Sequence, residues 1–225
     1  MLSSRILGLV ALAALLAGCA ADGARPGSRE RLAKRADVSA VVAADLALAR
    51  LAREKGQWQA FREKMGDDAV MFVPHLANAR EWLSRQQEPA QPALWRPERV
   101  VSSCDGTLAA SMGGATWPDG TFSRYLTVWK RERNGSYRWV LDTGEPTREA
   151  PDPPEMIGST VAECAPPPPA QAAALSVASR ASDDQTFRYA VSQEPGGGDA
   201  LEVSYWTGET FEVFYRRPVP AAPPQ

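Results

Sequence analysis

The chain has 225 residues, of which 44% are hydrophobic, and its formal net charge is −2, from 25 basic and 27 acidic side chains. This length supports one domain with a substantial core, and without a basic excess a nucleic-acid partner has no electrostatic support. With a single histidine, His75, and no Cys-x-x-Cys spacing, we expect no metal site and no cofactor.

The first 18 residues have the organisation of a secretory signal peptide. Arg5 precedes the apolar run 6–17, which is shorter than the roughly 20 residues that a membrane-spanning helix needs. The segment "LAGC" at its end resembles the lipobox of bacterial lipoproteins, which implies acylation of Cys19 and cleavage before it. Ala20 in the next position implies anchoring in the outer membrane, facing the periplasm. The alternative is an ordinary signal that contains a cysteine by chance.

Residues 19–36 are polar and charged and contain Pro26, so we expect a flexible tether behind the lipidated cysteine. Two other cysteines, Cys104 and Cys164, remain in a chain that the signal sends to an oxidising compartment. A disulfide between them would close a loop of about 60 residues and stabilise the fold by roughly 4 kcal/mol. Two buried free thiols are the alternative.

Three helices are predicted in the first half of the domain. The apolar period over 37–55 indicates a long helix with Asp37 as its N-cap and Gly56 as its stop. A short helix follows, from about Trp58 to Gly66. Asn78 and Glu81 resemble a capping box, which starts a third, short helix.

The remaining segments of this region have strand-like patterns. The first is "AVMFV" at 69–73, and four more cover 95–104, 107–116, 121–131 and 136–143, separated by the turn signals "DG", "PDG" and "NG". Helices followed by adjacent antiparallel strands predict an α+β fold, with the helices on one face of a curved sheet.

Beyond this region the proline content changes the pattern. Residues 147–182 are rich in proline and alanine and are predicted to be a linker. Strict alternation returns in 183–217, which predicts a three-stranded antiparallel meander whose apolar face packs on the main domain or on a partner. Residues 218–225 are expected to be a disordered tail.

The segments "AVVAADLALARLAREKGQWQAFREKMGDDAVMFVP" and "YLTVWKRERNGSYRWVLDTGEP" resemble the nuclear transport factor 2-like superfamily. This group includes SnoaL-like and ketosteroid isomerase-like proteins with a cystatin-like α+β fold. The resemblance covers about 37–146 and implies a cone-shaped, curved antiparallel sheet with N-terminal helices on one face and an apolar pocket. Members act as isomerases or cyclases, or as binding and dimerising modules, so the resemblance transfers fold rather than function.

Enzymes of this group need an acid or base inside the cone. Asp67 and Asp68 are better explained as a solvated turn, and His75, Asp142 and Tyr125 are weak candidates, so we assign no catalytic residue. The indoles are numerous, and core packing explains many of them. The side chains expected to line a pocket are Phe61, Trp82, Trp95, Tyr125 and Trp139.

The leading interpretation is a lipid-anchored envelope protein whose domain binds a small apolar ligand or a protein without catalysis. One alternative is an isomerase, dehydratase or cyclase that uses an acid or base in the pocket. Another is a structural envelope component that forms a homodimer.

Overall fold

The computed structural model of the chain describes residues 35–73, 75–165, 167–168, 178–193 and 199–218. The predicted signal peptide 1–18, the lipidation site Cys19, nearly all of the tether and residues 219–225 of the tail lie outside these ranges. Within the described ranges, no helix is long and apolar enough to cross a membrane.

The long N-terminal helix α1 runs over Val38–Lys55, as the sequence predicts. It begins where the Asp37 carboxylate accepts a hydrogen bond from the Ala40 amide at 3.1 Å. It ends at Gly56, whose φ of +103° favours glycine. The buried face of α1 carries Val41, Leu48 and Ala52.

Two short helices follow, α2 over Gln57–Lys64 and α3 over Ala79–Ser84. The Asn78 side chain accepts a hydrogen bond from the Glu81 amide at 3.1 Å, so this N-terminus is capped as the sequence indicated.

The main sheet contains eight strands among the residues described. Their bounds are β1 Met65–Phe72, β2 Leu76–Asn78, β3 Leu94–Trp95, β4 Arg99–Ser102, β5 Leu108–Thr116, β6 Phe122–Arg131, β7 Tyr137–Thr147 and β8 Gly158–Val161. The strand order is β2-β1-β7-β6-β5-β4-β8, and β3 pairs with β5 outside this path. The expected α+β fold with N-terminal helices and a curved sheet is confirmed.

Two details of this sheet differ from the expectation of a wholly antiparallel sheet. Strand β1 pairs with β7 in parallel, and β4 pairs with β8 in parallel. In addition, β8 lies inside the range predicted to be a linker. Both parallel pairs join segments that are distant along the chain, so no turn motif in the sequence predicts them.

A second sheet is formed by the C-terminal strands β9 Ala178–Ala181, β10 Phe187–Gln193, β11 Asp199–Trp206 and β12 Phe211–Pro218, in the order β12-β11-β10-β9. It has four strands where the alternation predicted three. The additional strand, β9, has the sequence "ASRA", which carries no large apolar residue and therefore gave no signal.

The two faces of the main sheet contribute to separate cores. On one face, Leu126, Val128 and Leu141 pack with Phe187 and Leu201 of the C-terminal sheet, and this core also includes other side chains from both sheets. The opposite face packs against the helices.

The predicted disulfide between Cys104 and Cys164 is present, with Cα atoms 5.1 Å apart. It joins the segment after β4 to the segment after β8, in support of the parallel β4–β8 pair.

Candidate functional site

A cavity of about 590 Å³ lies between the helices and the facing side of the main sheet. This volume is within the range of small-molecule sites. Among the residues described, the aromatic side chains that line it are Trp58, Phe61, Trp82, Trp95, Trp117, Phe122 and Tyr125. The exposed Thr121 and Pro146 and the half-buried Trp117 lie at its open rim.

A β-bulge in β7 determines which side chains reach the cavity. Val128 of β6 pairs with Leu141, but the next residue, Trp129, pairs with Trp139, so Val140 is the extra residue. Trp139 and Asp142 are three positions apart and would face opposite sides of a regular strand. The bulge returns both to the side of the helices.

Asp142 is the buried carboxyl group of the cavity wall, with only 8% of its surface exposed. The Thr127 hydroxyl, on the neighbouring strand β6, donates a hydrogen bond to its Oδ2 at 2.6 Å. Burial, assisted by the charge of Asp45 and opposed by the Thr127 hydrogen bond, raises the pKa of Asp142 to about 7. The carboxyl group therefore titrates near neutral pH.

A second buried carboxyl group, Asp45 of α1, lies behind the cavity wall. Its oxygens accept hydrogen bonds from Ser111 Oγ at 2.5 Å and Trp95 Nε1 at 3.2 Å. The Tyr125 hydroxyl donates to the same carboxylate at 3.1 and 3.2 Å. Burial raises the pKa of Asp45 to about 6, against the effect of these hydrogen bonds.

Burial and the Asp45 carboxylate together hold the pKa of Tyr125 well above its usual value, so this phenol remains protonated. Its hydroxyl donates to Asp45, whereas the side chain also lines the cavity. Tyr125 thus forms part of the cavity wall while its hydroxyl is bonded to Asp45 behind that wall.

The C-terminal sheet contacts the strand that carries Asp142. Arg217 of β12 donates hydrogen bonds to the carbonyl oxygens of Phe72 at 3.1 Å and Gly144 at 2.9 Å, and also to the Thr143 hydroxyl. These contacts join β1 and β7 beside the cavity wall.

Four of the five side chains expected in a pocket, Phe61, Trp82, Trp95 and Tyr125, line the cavity. The fifth, Trp139, is fully buried behind the wall. Its indole N–H donates to the Phe61 carbonyl oxygen at 2.8 Å, and the two rings lie 5.6 Å apart. Trp139 therefore supports the wall from inside the core.

The weak catalytic candidates are in different environments. Asp142 and Tyr125 are both in the cavity wall, whereas His75 is exposed at the start of β2. Asp67 and Asp68 are also exposed, and Asp68 forms an ion pair with Arg180 at 3.0 Å. This agrees with the solvated position that the sequence suggested for these two carboxylates.

Sequence reasoning missed Asp45 and Thr127. Asp45 lies on the same helix face as Val41, Leu48 and Ala52, and an acidic residue within an apolar stripe was a signal that could have been used. The described residues contain no group of three or more His, Cys, Asp or Glu side chains that would hold a metal ion.

No protein-family model and no curated protein matches the chain. Among solved structures, a ketosteroid isomerase candidate from Parabacteroides distasonis is similar at 13% identity and a TM-score of 0.40, covering 52% of this chain and 97% of that one. A nuclear transport factor 2-like protein of unknown function from Shewanella baltica has 15% identity and a TM-score of 0.39, covering 50% and 94%.

A protein of unknown function with a cystatin-like fold, from Methylobium petroleophilum, has 10% identity and a TM-score of 0.36, covering 55% of this chain and 86% of its own. At such identities and TM-scores the function has to be argued from the residues of this chain.

Proposed function

We propose that this protein binds a small, mostly apolar molecule in the cavity without transforming it. The observation that carries the proposal is the composition of the wall, in which aromatic rings from the helices and the sheet surround one buried carboxyl group. Such a wall combines apolar contact area with a few polar groups, among them the Asp142 carboxyl group, that orient a ligand.

The physical basis of the affinity is burial of apolar surface, which contributes about 25 cal/mol per Å² removed from water. The aromatic side chains of the wall are held in place before a ligand arrives. Trp58, for example, packs edge-on against Trp82 with ring centroids 5.1 Å apart. A preformed wall lowers the ordering cost of binding.

Tryptophan fluorescence during titration with the neutral probe N-phenyl-1-naphthylamine tests the proposal, because Trp58, Trp82, Trp95 and Trp117 all line the cavity. The matched pair of variants is Ala115→Leu, which adds volume to the cavity wall, and Ala150→Leu, at an exposed position. We expect saturable binding that Ala115→Leu weakens and Ala150→Leu leaves unchanged. Equal binding by both variants, or no saturable binding, would contradict the proposal.

Proton transfer is a second candidate function, favoured by the titration of Asp142 near neutral pH inside an apolar wall. A general acid or base works best with a pKa near the working pH. Turnover of steroid-like or polyketide-like substrates, abolished by Asp142→Asn with the fold intact, would support this candidate over binding alone. Absence of turnover across the panel would leave binding as the function.

The envelope location is part of the proposal and is supported by the signal-like segment and the "LAGC" sequence at 16–19. Two acyl chains at Cys19 would give stable attachment, because each buried methylene contributes about 0.8 kcal/mol. Mass spectrometry of the mature N-terminus is the measurement. An unmodified Cys19, or cleavage at another position, would remove the anchor from the proposal.

A homodimer formed through the main sheet would need a free face of that sheet. One face packs against the helices, and the other packs against the chain's own C-terminal sheet. We therefore propose that the domain acts as a monomer. Sedimentation of the Cys19→Ser chain at micromolar concentration would show a stable dimer if this is wrong.

A further inference from the structure

Most hydrogen-bond donors of the aromatic side chains in the cavity wall are already used inside the protein. The indole N–H of Trp95 donates to Asp45 at 3.2 Å, and that of Trp117 donates to Ser123 Oγ at 2.9 Å. The Tyr125 hydroxyl also donates to Asp45. These side chains therefore offer a ligand their ring faces rather than their donors.

Three threonine hydroxyl groups of the wall are engaged in the same way. Thr127 donates to Asp142 at 2.6 Å, Thr143 donates to the Phe72 carbonyl oxygen at 3.0 Å, and Thr147 donates to a backbone carbonyl oxygen at 3.0 Å. A ligand with an anionic oxygen would meet no cationic side chain among the described residues of the wall, so only neutral donors such as the Gln57 amide could compensate its loss of hydration.

The charge of the wall has one sign. The described residues that line the cavity include Asp142 but no lysine, arginine or histidine, and Asp45 lies behind the same wall. The faces of aromatic rings carry the negative part of their quadrupole, so they attract cations as well. A carboxylate surrounded by aromatic faces suits a positively charged group better than a neutral or negative one.

We infer that the natural ligand is an amphipathic organic cation, with an ammonium group beside Asp142 and an apolar body along the tryptophan wall. The inference rests on the proposed binding function and narrows it to one class of ligand. An ammonium group donates to the Asp142 carboxylate and lies against the ring faces, and the engaged threonine hydroxyls and indoles need not rearrange to accept it.

Three probes with the same apolar body and different head groups test the inference: 4-phenylbutylamine, 4-phenylbutanol and 4-phenylbutyrate. Binding is measured by calorimetry and by tryptophan fluorescence at pH 8, with the full chain carrying Cys19→Ser so that no detergent competes for the cavity. The variants are Asp142→Asn and the matched Asp67→Asn, whose carboxyl group is exposed. Near-ultraviolet circular dichroism checks that each variant is folded.

We expect the amine to bind best, the alcohol less well and the carboxylate least. Asp142→Asn should weaken amine binding about tenfold or more, because a desolvated charge pair is lost, and change alcohol binding by less than about threefold. Asp67→Asn should leave all three affinities unchanged.

An alcohol or carboxylate that binds as tightly as the amine would overturn the inference, and so would amine binding that is indifferent to Asp142→Asn. If N-phenyl-1-naphthylamine fills the cavity while the amine does not bind, the inferred cationic ligand class is wrong but the proposed binding function stands. If none of the probes binds, both are wrong.

Discussion

Two regions of the molecule place carboxyl groups in different surroundings. In the first, the turn 103–108 after β4 meets the turn 182–187 before β10, and we call this the turn contact. In the second, the cavity, carboxyl groups are buried against aromatic rings.

The two turns of the turn contact have the same spacing, "SCDGT" and "SDDQT". In each, an aspartate Oδ1 accepts from the preceding serine hydroxyl and the following threonine, for example Ser103 Oγ to Asp105 at 2.7 Å and Ser182 Oγ to Asp184 at 2.6 Å. The other oxygen of each aspartate accepts the backbone amide of its counterpart, at 2.7 and 2.9 Å. The two turns thus bind each other reciprocally.

The regions differ in how deeply the carboxyl groups are buried and, for Asp142, in how few hydrogen bonds the carboxyl group accepts. In the turn contact each carboxylate accepts several short hydrogen bonds, which compensate its loss of hydration. In the cavity, Asp142 accepts its hydrogen bond from Thr127, and burial still raises its pKa to about 7. A buried carboxyl group kept at such a cost is a candidate functional group.

The largest expected effect comes from the disulfide beside the turn contact. Replacing Cys104 and Cys164 together by serine should lower the free energy of unfolding by about 4 kcal/mol, the value expected for a loop of this length. Denaturant unfolding of the oxidised protein and the double variant measures this. A loss below about 1 kcal/mol would show that the pairing of β4 with β8 does not depend on the disulfide.

Breaking the reciprocal hydrogen bonds should have the next largest effect. Asp105→Ala and Asp184→Ala each leave several donors without an acceptor, which costs about 2 to 3 kcal/mol. The two changes should be less than additive, with a coupling of about 1 kcal/mol, because each aspartate binds the amide of the other. A double-mutant cycle gives the coupling, and strict additivity would show that the two turns act independently.

The elements that the sequence predicted well depend on neighbouring residues. Asp37, Gly56 and Asn78 delimit helices through contacts that reach only a few positions along the chain. The parallel pairs of β1 with β7 and of β4 with β8 depend on distant segments, so no local pattern encodes them. The turn contact also joins two distant segments, so it was not predicted. Its two motifs share the pattern Ser-x-Asp-x-Thr.

The cavity was predicted in part. Aromatic side chains were expected in the wall because large indoles exceeded the ordinary needs of a core, and four of the five chosen residues are there. The position of Asp142 depends on the bulge at Val140, which shifts the alternation of β7 by one residue. Asp45 was missed because its neighbours on α1 suggested an ordinary apolar face.

Removing the charge of Asp142 should stabilise the protein at alkaline pH. The pKa rises from 3.8 to about 7 on folding, so between these values the folded state binds more protons and stability falls as pH rises. Each unit corresponds to about 1.4 kcal/mol, and we expect Asp142→Asn to gain on the order of 2 kcal/mol at pH 8 and little at pH 4.

Thermal and denaturant unfolding at pH 4 and pH 8 tests this direction of the stability change. The proteins compared are the wild type, Asp142→Asn and the exposed control Asp67→Asn. The Asp45 carboxyl group, also raised in pKa, gives the wild type the same trend and remains in the variant. A variant that is less stable than wild type at pH 8 would show that the cavity carboxylate is bonded as favourably as those of the turn contact.

The smallest expected effect concerns the hydrogen bond that Thr127 donates to Asp142. It is one bond, whereas each aspartate of the turn contact accepts several. Thr127→Val keeps the shape of the side chain and removes the hydroxyl that donates to Asp142 at 2.6 Å. Because this bond favours the ionised carboxylate, its loss should raise the pKa of Asp142 further, by an amount equivalent to about 1 kcal/mol.

The matched control is Thr121→Val, because the Thr121 hydroxyl donates to Asp119 on an exposed turn. Titration of ¹³C-labelled aspartate carboxyls by NMR should show the Asp142 midpoint moving upward in the first variant only. An absent shift would mean that the Thr127 hydroxyl does not contribute to this pKa, and a downward shift would mean that the hydroxyl disfavours the ionised carboxylate.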